Sequence, residues 1–134
     1  MVDVIDKQRQ ELDPAIKRML DDGKNDRSFV FCAACSAVLG HSKDAINING
    51  SHQHFCTNPH GIDFNVRCYS DALGCAISGQ PTAADSWFAG YSWRFATCSD
   101  CNTHLGWLFE NSSNNHFYGL IRERIQIDAA PNAD

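Results

Sequence analysis

The sequence has none of the features that would place it in a membrane or on nucleic acid. No stretch is apolar for long enough to cross a bilayer, and Met1 to Asp13 is polar and charged where a secretory leader needs a basic start and an apolar run. Basic residues are scarce. Eleven Lys and Arg stand against sixteen Asp and Glu, for a net charge of −5, and they are scattered, so no basic stripe could follow a phosphate backbone. Neither nucleic acid nor membrane is expected as a partner, and a soluble, cytoplasmic protein is. Also missing are a Gly-rich phosphate loop, a serine nucleophile elbow and a metalloprotease helix.

Between residues 29 and 126 there is no strong helix-length amphipathic period either. Short aromatic-bearing runs alternate there between turn residues, which predicts an all-β domain. The strands are expected around Phe29–Phe31, Ser36–Gly40, Ile46–Gly50, His52–Thr57, Ile62–Tyr69, Leu73–Ser78, Ser92–Thr97, Thr103–Glu110 and His116–Arg122. Asn58-Pro59-His60-Gly61 and Gly79-Gln80-Pro81 read as turns. The one clear helix is expected at residues 13–22, where Asp13 can cap, Pro14 suits the first turn, and Ile16, Met19 and Leu20 share a face. This divides the chain into a helix and linker (1–28), a main domain (29–126) and a polar tail (127–134).

Seven cysteines are an odd number, which fits a full disulfide framework poorly. Four of them fall in two Cys-x-x-Cys pairs, Cys32/Cys35 and Cys98/Cys101, each on a turn between short strands. Two such knuckles supply four thiolates to one tetrahedral ion and leave no position for water, so one structural Zn2+ is expected. It would close a large loop. Cys56, Cys68 and Cys75 read as buried apolar residues, with a disulfide or a reactive thiol as the less common outcome. His52, His54 and His60 lack a carboxylate or cysteine that would complete a second site.

Residues 86–107 contain all three tryptophans, Trp87, Trp93 and Trp107, beside the second knuckle. Three large flat faces so close together either fill a core or line a pocket.

The blocks F-C-A-A-C, T-N-P-H-G, D-S-W-F-A-G-Y-S-W, C-S-D-C-N-T-H-L-G-W-L-F and F-Y-G-L-I-R, in this order and spacing, resemble the CULT domain, the thalidomide-binding domain of the cereblon family, from Phe29 to Arg124. That resemblance implies a β-tent fold, two antiparallel sheets pinned by zinc on the four cysteines. It also implies a cage of Trp87, Trp93 and Trp107, completed by Phe109 and floored near Asn58 and Pro59, that takes cyclic imides such as glutarimide and thalidomide-type ligands. The backbone of Asp85 and Trp87 would meet the imide N–H and one carbonyl, and the Asn58 side chain the other. The implied contact set is Asn58, Pro59, Phe64, Asp85, Ser86, Trp87, Trp93, Trp107 and Phe109, with Asp85 and Phe64 standing where the vertebrate member has histidines. A stand-alone, single-domain member without the preceding Lon-like domain is expected.

The expected function is a non-enzymatic module that binds a cyclic imide or uracil-like ring, free or at the end of a modified polypeptide. The alternative is a thiol-dependent reductase related to methionine sulfoxide reductase B, which shares the β-tent and the zinc pairs. That enzyme would act through Cys56, Cys68 or Cys75, yet its cysteine is expected in the final strand, and His116–Arg122 has none.

Overall fold

The computed structural model describes residues 28–128, and the helix expected at residues 13–22 lies outside them. The described residues form nine strands in two antiparallel sheets, with two short 3-10 turns at Ser42–Asp44 and Arg122–Arg124. The small sheet has the order β2-β1-β9, with β1 Phe29–Cys32, β2 Val38–His41 and β9 Ile125–Asp128. The large sheet has the order β3-β4-β8-β7-β6-β5, with β3 Gln53–Thr57, β4 Asp63–Tyr69, β5 Cys75–Thr82, β6 Ser92–Cys98, β7 His104–Glu110 and β8 His116–Ile121. The fold is all-β, a β-tent.

Side-chain alternation sorts the large sheet's core strands into two faces. Leu108, Tyr118 and Leu120 pack with Val30, Cys32, Leu39 and Ile125 of the small sheet to form the inter-sheet core. Val66, Cys68, Phe109 and Phe117 join Phe88 and Trp107 in a second cluster on the opposite face. The central strand β7 is covered on both sides, which is why its interior from Leu105 to Phe109 is buried without a break.

Two glycines allow this packing. A Cβ on Gly106 would sit 2.0 Å from the Gly119 carbonyl oxygen, and one on Gly119 would sit 2.8 Å from Val66 Cγ1 and 2.9 Å from Phe109 Cε2. Their bare backbones let β7 and β8 approach closely and let the Phe109 ring lie beside β8.

Three expectations need correction. Ile46–Gly50 is not a strand: Ile48 and Ser51 close a tight turn in which Asn49 (φ 52°) and Gly50 (φ 87°) are both left-handed, the pattern that Asn-Gly favours. Nor is Gly79-Gln80-Pro81 a turn. The strand runs through it to Thr82, and a register shift between Ser78 and Thr82 absorbs the extra residues on a sheet edge, where proline removes no ladder bond. Finally, Ile125–Asp128 forms β9, which pairs with β1 along its length (Phe29 with Asp128, Cys32 with Ile125). Only two apolar residues alternate there, too few to stand out.

Candidate metal centre and binding cavity

The two Cys-x-x-Cys turns have the same backbone. Ser36 N–H donates to the Cys32 carbonyl (2.8 Å) and Cys32 N–H to the Ala37 carbonyl (2.8 Å). Asn102 N–H donates to Cys98 (2.8 Å) and Cys98 N–H to Thr103 (2.8 Å) in the same manner. The residue after each second cysteine is left-handed, Ser36 at φ 68° and Asn102 at φ 66°. One turn lies between β1 and β2 and the other between β6 and β7, so each sheet contributes one knuckle.

All four sulfurs lie within 4.8 Å of one another. Cys32 Sγ is 3.7 Å from Cys101 Sγ, and Cys35 Sγ is 3.6 Å from Cys98 Sγ. A tetrahedron with arms of about 2.3 Å has edges of about 3.8 Å, so the thiols are spaced as zinc requires and too far apart for disulfides. The Thr103 hydroxyl, 3.0 Å from Cys101 Sγ, helps to hold that thiol well below its usual range, at about 6, while the adjoining Cys32 and Cys35 thiols are raised, a crowding that a bound cation relieves. The quartet holds one structural zinc ion, which ties the small sheet to the large one.

On the far face of the large sheet a cavity of about 440 Å³ is lined by Asn58, Pro59, His60, Phe64, Asp85, Trp87, Trp93, Phe95, His104, Trp107 and Phe109. Strand register gathers most of these aromatics: Trp93 pairs with Phe109 and Phe95 with Trp107 across β6 and β7. Phe64 reaches in from β4, its ring 5.3 Å from Trp107. Trp87 comes from the loop between β5 and β6 and meets Trp107 edge to face at 4.8 Å.

That loop is tied down at several points. Phe88 is 2% exposed and wedges its ring against Phe109 (4.8 Å), Phe117 (5.0 Å) and His54 (5.0 Å). The Trp87 indole donates to the Thr57 carbonyl (3.0 Å) and the Trp93 indole to the Ala84 carbonyl (2.8 Å). Both indole N–H groups are therefore spent on the main chain. The loop turns sharply at Asp85, whose φ of 57° is left-handed.

Asn58 is partly spent as well. Its Oδ1 accepts from the backbone N–H of His60 (2.9 Å) and of Ile62 (2.9 Å) and holds the β3–β4 hairpin. Asn111 does the same between β7 and β8, accepting from Ser113 (3.0 Å) and Asn115 (2.9 Å). The Asn58 amide is left with its NH2 as a donor, which suits a carbonyl partner.

Of the nine residues expected at the ligand site, the cavity gathers eight. Ser86 is the ninth: its hydroxyl donates to the Phe88 carbonyl (3.1 Å) and accepts from the Phe88 N–H (3.3 Å), and the residue lines a separate shallow groove with Tyr91 and Glu110. A hydroxyl within reach of the backbone two residues on is more readily satisfied there than in an apolar cavity.

His60, Phe95 and His104 line the cavity without having been anticipated. Phe95 lies two residues from Trp93, a signal that strand alternation could have used. His104 could not be found that way, because strict alternation puts it on the face opposite Trp107. The register shift opposite Ala96 and Thr97 brings both to one face. His104 Nε2–H donates to the Gly106 carbonyl (2.9 Å), while Arg124 Nη1 donates to the His104 carbonyl (2.9 Å) and lies 3.4 Å from Nδ1. Burial, with the Arg124 charge behind it, lowers the His104 pKa.

The remaining thiols are poorly suited to chemistry. Burial pushes Cys68 and Cys75 up to about 12 and raises Cys56 as well, so each is held as an unreactive thiol.

A β-tent whose two sheets share a zinc, with an aromatic cavity on the outer face, defines the class of domain. The family described as Yippee zinc-binding/DNA-binding/Mis18, centromere assembly, matches residues 28–126, and the chain belongs to it. Among characterised proteins it is similar to Protein cereblon of Drosophila erecta and of Drosophila yakuba, each 34% identical over 115 residues, which cover 78% of this chain and 19% of the relative. Protein cereblon of Drosophila melanogaster is 32% identical over 115 residues, with the same coverage. The chain thus spans about a fifth of the length of these relatives. Among the described residues no helix is long and apolar enough to cross a membrane.

Proposed function

We propose that this chain is a CULT-type binding module, rather than a catalyst, that captures a small cyclic imide or uracil-like ring, free or at the end of a modified polypeptide. The observation that carries the reading is the 440 Å³ cavity walled by Trp87, Trp93, Trp107 and Phe64, with Phe109 1% exposed behind them. Apolar walls with a few directed polar groups are what a small-ligand site requires. A flat, largely saturated ring fits between aromatic faces, and the imide's C=O–NH–C=O edge suits main-chain groups of Asp85 and Trp87 and the free amide hydrogens of Asn58. The similarity to cereblon supports the same reading. Nucleic acid is a poor partner for a chain of net charge −5, and the raised thiol pKa values give the reductase no nucleophile. A cytoplasmic location fits the reduced thiols and the zinc site.

Titration with glutarimide, succinimide and uracil, followed by tryptophan fluorescence, tests this. Saturable quenching is expected for at least one ligand, and it should be lost in Trp93→Ala. Because that variant also removes a whole aromatic wall, Trp93→Phe, which keeps an aromatic face and frees only the Ala84 carbonyl, serves as a milder companion. No response from the folded, zinc-loaded protein would overturn the reading.

A further inference from the structure

We propose that the ligand of this cavity carries a positive charge, as an organic ammonium attached to the ring and held at the rim by Asp85. The inference rests on the cavity being a ligand site for a ring and adds the charge of what enters it.

Three observations carry it. The first is the sign of the charge at the site. Of the eleven lining residues, Asp85 is the one carboxylate, and no lysine or arginine is among them. The aspartate side chain is so short that its charge stays within a few ångström of its own backbone, so a residue that lines the rim brings its carboxylate there. Arg124, behind His104, is directed at the carbonyl and Nδ1 of that residue and does not line the cavity.

The second is the orientation of the indoles. Trp87 and Trp93 commit their N–H groups to the Thr57 and Ala84 carbonyls. What they offer the cavity is therefore ring surface, whose negative quadrupole attracts cations. Aromatic faces beside one carboxylate, with no competing cation, are the chemistry that recognises an ammonium group.

The third is the state of the histidines. His104 has its Nε2–H bonded to Gly106 and a guanidinium facing Nδ1, an arrangement that disfavours a second ring proton and keeps this wall neutral. His60, on the Asn58 turn, is exposed to solvent.

Isosteric ligands provide the test: glutarimide carrying a trimethylammoniomethyl group at C3, its neutral neopentyl isostere, and unsubstituted glutarimide, each titrated against the zinc-loaded protein. The cationic ligand is expected to bind roughly five- to tenfold tighter than the neutral isostere, the range for a partly exposed ion pair with a cation–π contribution. The advantage should shrink as salt is added. It should also fall sharply in Asp85→Asn, which keeps the left-handed backbone because asparagine tolerates that conformation.

Equal or weaker binding of the cation, or an advantage undiminished in Asp85→Asn, would overturn the inference while binding of plain glutarimide left the ring reading standing. If none of the three binds the folded protein, the ring reading fails and the charge inference fails with it.

Discussion

At the scale of single residues, side chains that look like ligand contacts also hold the scaffold. Asn58 accepts two backbone hydrogen bonds within its hairpin, so replacing it tests two roles that can be separated. Asn58→Ala should lower stability by about 0.5–1.5 kcal/mol, measured by chemical denaturation, because two backbone donors of the turn exchange their acceptor for water. Asn58→Asp keeps the acceptor and removes the NH2, so the fold should survive while imide affinity drops, as calorimetry would show. His104 gives a pH prediction. Its folded pKa lies below the ordinary value of 6.5, burial being the main cause, so the unfolded chain takes up the proton first. Its neutral form therefore imposes no penalty above about pH 6.5, and stability falls as the pH drops from there through the folded pKa. Thermal unfolding of His104→Gln across that window should show a shallower loss than the parent, and an identical slope would contradict the assignment.

At the scale of elements, one irregularity in β7 shapes the cavity. Gly106 stands where the register with β6 shifts, and its bare backbone lies against the Gly119 carbonyl. A methyl group there cannot be accommodated by side-chain movement, because the obstacle is main chain. Gly106→Ala should cost about 1–3 kcal/mol by the overpacking scale and move Trp107, with the fluorescence maximum reporting both. Normal stability with unchanged emission would mean that the strands have more freedom than this packing allows. The β5–β6 loop depends in a similar way on Phe88, whose ring anchors it to Phe109 and Phe117.

At the scale of the whole molecule, zinc joins two sheets at the edge of the core that they share. The knuckles sit at the β1–β2 and β6–β7 turns, so the ion closes a loop of more than sixty residues, from Cys35 to Cys98. Removing it should separate the sheets rather than loosen one turn. Chelation, or Cys98→Ser, is expected to abolish cooperative unfolding and release one equivalent of zinc, measured by a metallochromic indicator. A metal-free protein with an unchanged melting curve would refute this.

The sequence by itself determined the elements whose physics is local. Cysteine spacing defined the quartet, because two intervening residues set the bite of each pair, and the alternating runs defined an all-β domain. The Asn58 turn could be read from its Pro and Gly. What only the tertiary structure decided depends on register and on which strands become neighbours. The shift at Gly106 brought His104 to the cavity face, the edge position of β5 let it run through Pro81, and β1 drew Ile125–Asp128 into the small sheet. Ser86 turned back to its own loop for the same reason: a side chain with a nearby backbone partner satisfies itself locally, and no periodicity in the sequence records that choice.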